Sequence, residues 1–171
     1  MSRLRATHIE TYLFRRRSRP MLLMLRRAAG DSLPGIWQPV TGRIRRGETA
    51  LRAAAREVRE EAGLTPCRWW KLEQVVTYLH PASDEMRVVP LFAAEVDRDV
   101  KPRLSREHDA FRWVTIPAAA RLVLWDTQRA ALAALRRQIL GTARLASALE
   151  IRPPHAPARR PHAGGSRGAR G

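Results

Sequence analysis

Cysteine is nearly missing from this chain: Cys67 is the single thiol among 171 residues, so no internal disulfide can form. With only five histidines beside it, the chain is also poorly supplied for a structural zinc site. Cys67 reads as a packed thiol rather than a nucleophile. Lysine is almost as scarce, with Lys71 and Lys101 the whole complement, so the positive charge is carried by arginine. A biased base composition produces such a pattern without selection for binding. There is no long apolar run and no charged, then apolar, then small-residue leader. Neither a membrane span nor a secretory signal is visible, and a cytoplasmic location is the default expectation.

Acids are outnumbered, 16 against 32 basic residues, which gives a formal charge of +16 and a pI near 11.7. Such a balance favours polyanionic partners, nucleotides and nucleic acid included. Residues 151–171 hold five arginines and no acid, leaving +11 dispersed over the rest. That last segment is Pro, Gly, Arg and Ala with almost no apolar bulk, so it cannot bury enough surface to order itself. The expected organisation is one domain over 1–144, since 171 residues at 44% hydrophobic suffice for one core, followed by a disordered basic tail over 145–171. The tail could add weak electrostatic binding to RNA, or be a tolerated extension without a role. The oligomeric state is left open.

The scarce acids concentrate in one stretch, Gly42 to Leu64 (GRIRRGETALRAAAREVREEAGL). Thr49 is suited to cap a helix start and Gly63 to end it in the left-handed conformation, about three and a half turns later. At 100° per residue Leu51, Ala54, Ala55, Val58 and Ala62 share a packing face, while Glu57, Glu60 and Glu61 crowd the other side. Like charges three and four residues apart each cost a helix roughly 0.2–0.5 kcal/mol, so something should offset them. A hard divalent cation would, because Mg²⁺ and Mn²⁺ take carboxylate oxygens. The alternative is a solvated helix laced by Arg52, Arg56 and Arg59, with Arg56 and Glu60 spaced as an i,i+4 pair. The glycine-bounded basic loop Gly42 to Gly47 lets backbone approach a metal or a phosphate closely.

Gly42, Glu48 eight residues before Arg56, and then Arg56-Glu57-Val58-x-Glu60-Glu61-x-Gly63-Leu64 resemble the Nudix box without a departure. The resemblance implies an α/β (α+β) fold, an αβα sandwich with a mixed sheet between helices, and Mg²⁺-dependent hydrolysis of a diphosphate linked to another group, commonly a nucleoside. Carried over, Glu57, Glu60 and Glu61 match metal-binding positions. Gly42 would offer its carbonyl, and Arg56 and Glu48 would hold loop and helix in register.

Along the rest of the chain, Thr7 to Phe14 and Met21 to Arg26 read as a hairpin, and Arg68 to Leu79 and Met86 to Val96 as further strands, with Pro90 implying an edge or a bulge. Trp113-Val114 reads as the last strand, Ile116 to Leu122 as a helix with Pro117 in its first turn, and Asp126 as the N-cap of a final helix ending near Gly141. Glu107-His108 followed by Trp113 resembles the segment that supplies an additional acid in many Nudix enzymes. Glu107 is then a metal ligand, and Glu61 and Glu107 are both candidates for the general base. The run from Ser105 through Trp125 into the final helix is similar to bacterial dihydroneopterin triphosphate and dATP pyrophosphohydrolases, so that the resemblances together span residues 7–140. Trp37, Trp125 and Arg26 are candidate substrate contacts, with aromatic packing the alternative for both tryptophans. The implied products from a nucleoside triphosphate are a monophosphate and pyrophosphate. Removal of pyrophosphate from RNA 5′ ends, or a non-catalytic nucleotide-binding module, are the competing readings.

Overall fold

The computed structural model describes residues 6–152 apart from Thr142. The strands β1 (His8–Arg15) and β2 (Met21–Arg27) form the expected hairpin, paired antiparallel through Phe14↔Leu22 and Arg15↔Met21. Beyond those pairs they part. On the β1 side β4 (Val40–Arg43) pairs antiparallel with His8 to Thr11, and on the β2 side β3 (Trp37–Gln38) and β7 (His108–Val114) pair with it. The other edge of β1 runs parallel to β6 (Glu85–Glu95), which pairs antiparallel with β5 (Arg68–His80). The result is a mixed eight-stranded sheet that splits between β1 and β2.

Side chains alternate across this sheet, as period-two geometry requires, and both faces are apolar because both are covered. Ile9 and Leu13 of β1, Leu23 and Leu25 of β2, and Trp69 face α1 (Ala50–Ala62) through Ala53, Ala54, Val58 and Ala62. Tyr12, Phe14, Leu22, Met24 and Trp70 face α2 (Ile116–Leu122), α3 (Asp126–Leu135) and α4 (Ala143–Leu149). The sandwich is therefore α1, sheet, then the three later helices.

Several boundaries differ from expectation. The domain does not stop at residue 144: α4 follows, Leu149 is buried in the core, and β8 (Glu150–Ile151) pairs with Trp70 and Trp69 at the β5 edge. The remainder of the expected tail, residues 153–171, lies outside the described residues. Asp126 is not the N-cap. Trp125 holds that position in extended backbone, and the Asp126 carboxylate accepts instead from Arg129 at 2.6 and 2.9 Å. α3 continues as a π turn over Arg136–Leu140 before Gly141. Pro90 sits on β6, an interior strand, and the irregularity is taken up opposite it, between Lys71 and Val75 of β5.

Candidate active site

Both ends of α1 are fixed by local chemistry. Thr49 Oγ accepts from the Arg52 N–H at 3.3 Å, and Gly63, at φ 64°, closes the helix by donating to the Arg59 carbonyl at 3.1 Å. The loop before the helix is held by Arg56. Its Nε and Nη2 each reach a Glu48 oxygen at 2.9 Å, Nη2 also reaches the Arg43 carbonyl at 2.9 Å, and Nη1 reaches Glu57 at 2.6 Å and Glu60 at 3.1 Å. A forked guanidinium is the side chain that can serve a bidentate carboxylate and a carbonyl together. Those bonds from Arg56, above all, hold the Glu48 carboxyl down at about 2, and Glu48 in turn accepts from the Arg45 N–H at 3.0 Å. β4 passes so close to the helix that a side chain on Gly42 would overlap the Glu57 carboxylate.

The three helix acids occupy different environments. Glu60 is half exposed and shared between Arg56 and Arg45. Glu57 is nearly buried, and burial raises its pKa despite the Arg56 contact. Glu61 is only 4% exposed and lies with the packing face rather than opposite it, a correction to the helical-wheel expectation. Burial first, then the Glu57 and Glu107 charges, push its carboxyl up to about 9, with the Thr41 backbone and Arg27 acting the other way. Its Oε2 has no hydrogen-bond partner among the described residues.

Glu107 reaches this end of the helix because the chain before it docks on the exposed carbonyls of α1. Arg103 N–H donates to Ala62 at 2.8 Å and Ser105 N–H to Glu61 at 3.2 Å, while the Glu107 carbonyl accepts from Ala28 at 2.9 Å. Thus Glu48, Glu57 and Glu60 meet on Arg56, Gly42 lies against Glu57, and Glu107 is near enough for its charge to act on Glu61. Among the described residues no three acids, histidines or cysteines converge as a ligand cluster, and Glu57 and Glu60 are paired to Arg56.

Sequence reasoning missed a polar chain beside Glu61. Arg27, paired to Asp31 at 2.6 Å, donates to Gln38 at 3.4 Å, and the Gln38 amide nitrogen lies 3.4 Å from both Thr41 Oγ and His108 Nε2. His108 is buried, its Nδ1 is unpartnered among the described residues, and burial followed by Arg27 lowers its pKa. Gln38 and His108 are 70 positions apart, so no spacing announces them. The candidate substrate contacts form a separate group. The Trp37 ring is flanked by the guanidinium carbons of Arg112 at 4.7 Å and Arg26 at 5.9 Å, and Arg26 is paired to Asp109 at 2.7 Å. Trp37 bridges to Val123, and Trp125 nearby is 50% exposed, so it is not an aromatic locked into the core.

A family model described as "NUDIX domain" matches residues 5–135. The chain belongs to the Nudix family. Among curated relatives, the asymmetrical bis(5′-nucleosyl)-tetraphosphatase of Sus scrofa is 37% identical over 98 residues, covering 56% of this chain and 67% of the pig protein. Among solved structures, the Escherichia coli dihydroneopterin triphosphate pyrophosphohydrolase superposes with a TM-score of 0.64 at 25% identity, covering 81% of this chain and 98% of that one. A Caenorhabditis elegans Ap4A hydrolase complex gives a TM-score of 0.68 at 20% identity over 81% and 100%, a likeness of fold. The chain is a Nudix pyrophosphohydrolase with an αβα fold. No helix among the described residues is long and apolar enough to cross a membrane.

Proposed function

We propose that this enzyme hydrolyses a diphosphate linkage in a nucleoside triphosphate or a similar compound, such as dATP or dihydroneopterin triphosphate, giving a monophosphate and pyrophosphate. The observation that carries the reading is Glu61, a buried carboxyl with an unpartnered oxygen and two other acids acting on it. Glu57, Glu60, Glu61 and Glu107, with the Gly42 carbonyl, would hold a divalent cation, since these are the all-oxygen donors that suit Mg²⁺ or Mn²⁺. Such a cation, when bound, neutralises phosphate charge and favours deprotonation of water.

The protein's own contribution is positioning and proton transfer. Arg56 keeps Glu48 ionised and restrains Glu57 and Glu60, so the loop bearing Gly42 and the helix bearing the acids hold one register. Glu61 or Glu107, once ionised, accepts the proton of the attacking water at a carboxylate oxygen. Trp37, Arg26 and Trp125 are the surface available to the rest of the substrate.

A second reading has a specific observation behind it: the 37% identity to the pig tetraphosphatase favours a dinucleoside tetraphosphate cleaved into unequal parts. One panel tests both. Purified enzyme is incubated with dATP, dihydroneopterin triphosphate, a dinucleoside tetraphosphate and 5′-triphosphorylated RNA, with and without Mg²⁺ or Mn²⁺. Release of pyrophosphate from the first two supports the primary reading, and a nucleoside triphosphate from the third supports the second. Undiminished hydrolysis after complete chelation would sink the proposed metal dependence, and binding without turnover on the whole panel would leave a nucleotide-binding module.

A further inference from the structure

Beyond the pair with β8 at Trp69 and Trp70, the outer edge of β5 has no strand beside it among the described residues. The Glu73 N–H on this edge is taken by the Gln138 side chain at 3.1 Å, which ends the protected part. From Gln74 to Leu79 the sequence QVVTYL carries no charge, proline or glycine, in a chain that is 28% charged. Exposed edges are usually blunted by such residues, because unpaired N–H and C=O groups template pairing with another chain. Apolar surface accompanies the edge: Val75 and Leu79 are each 52% exposed and Met86, paired to Leu79, is 55% exposed.

The direction of the free groups follows from the far side of β6. The Val88 carbonyl accepts from Thr7 at 3.4 Å, away from β5, so Val88 and its partner Thr77 form a non-hydrogen-bonded pair. Thr77 therefore aims its N–H and C=O outward, and with period two so do Val75 and Leu79. An antiparallel copy centred on Thr77 would set Thr77 against Thr77 and Val75 against Leu79, apolar on apolar, with Gln74 opposite His80 and no like charges facing. Centring on Val75 would collide with the Gln138 cap, and centring on Leu79 would oppose Thr77 with Pro81, which has no N–H.

We infer that β5 is a homodimerisation edge, pairing with β5 of a second copy about a two-fold axis through Thr77. The pairing would make roughly six inter-chain backbone hydrogen bonds and bring the Val75, Leu79 and Met86 side chains of both copies together. Residues 153–171 are poorly suited to this edge, since Pro153, Pro154, Pro157 and Pro161 lack donors. Because each copy carries +16, the dimer should tighten as salt screens the mutual repulsion, the reverse of an ion-paired interface.

Sedimentation velocity on the full chain tests this. The expected result is a concentration-dependent shift from 19.4 kDa to twice that mass, stronger at higher salt. Thr77→Lys, which puts two ammonium groups on the axis, should weaken association at least about tenfold, while melting temperature and turnover of the monomer stay as in wild type. In a Cys67→Ser background, Thr77→Cys should cross-link across the axis on oxidation, because directly opposed strand residues lie within disulfide reach, and Val75→Cys should not. A monomer at every concentration and salt, an unaffected Thr77→Lys dimer, or equal cross-linking of both cysteine variants would each overturn the inference. So would dimerisation only after deletion of residues 153–171, which would assign the edge to that segment.

Discussion

Removing Arg56 should destabilise the domain more than any other single surface-reachable change in the loop and helix, and the structure gives the size. The guanidinium joins two nearly buried carboxylates, Glu48 at 15% and Glu57 at 13% side-chain exposure, and is itself 11% exposed. Taking one partner from a buried ion pair costs roughly 3–5 kcal/mol, and the residual solvent contact here places Arg56→Ala near the lower end, about 3 kcal/mol. Arg56→Lys keeps the charge but cannot serve both Glu48 oxygens and the Arg43 carbonyl, so about half of that should be lost. For a domain of this length 3 kcal/mol corresponds to a fall of roughly 6–12 °C in melting temperature. The measurement is thermal melting in chelator, so that no bound cation compensates for the missing positive charge. Acid supplies a second check. Glu48 titrates at about 2 when folded against an ordinary 4.5, so its contribution is full above 4.5 and disappears as pH falls towards 2. The gap between wild type and Arg56→Ala should narrow over that window. A difference under about 2 °C at neutral pH, or a gap that stays constant into acid, would refute the reasoning.

Glu61, raised from 4.5 to about 9, favours the folded state below 4.5 and loses that advantage as pH climbs towards 9; in chelator, Glu61→Gln should remove this loss of stability across pH 4.5 to 9, read by urea titrations at several pH values, while abolishing most turnover. Glu107→Gln should cut turnover at least about tenfold, or ~1.4 kcal/mol of transition-state stabilisation, with Arg106→Gln as the neutral comparison; unchanged kinetics at low and high Mg²⁺ would remove Glu107 from the site. Leu149→Ala should cost about 2–5 kcal/mol in denaturant unfolding, because that side chain is 4% exposed in the core, whereas a truly peripheral tail residue would cost almost nothing.

What was legible in the sequence is what short-range chemistry determines. Thr49 and Gly63 mark the ends of α1 because capping acts within one turn, and the β1–β2 hairpin and α2 follow from apolar runs broken by turn residues and Pro117. A helical wheel orders the acids by angle but does not give the width of the sector the sheet covers, so it groups Glu61 with Glu57 and Glu60 although Glu61 is buried. Seven residues are too few for a convincing period, so the sequence pattern does not announce α4 or the two-residue strand after it, and the expected boundary at 144 cuts through the helix. Asp126 fits an N-cap by type, yet the competing partner Arg129 is three residues on and takes its carboxylate. The Arg27, Gln38 and His108 chain depends on β2, β3 and β7 lying side by side, which no local pattern encodes.

The docking of Arg103 and Ser105 on the last carbonyls of α1 divides the β6–β7 connection into two parts with different freedom. Up to about Lys101 the chain turns through exposed residues around Asp97 to Asp99, and added length there can bulge into solvent without reaching the helix. From Arg103 to Glu107 the chain is gauged against the helix end, so one extra residue would displace the Glu107 carboxylate relative to Glu61 while leaving every residue of the Nudix box in place. Within one loop, evolutionary drift in length is thus permitted on one side of Pro102 and coupled to the acids on the other.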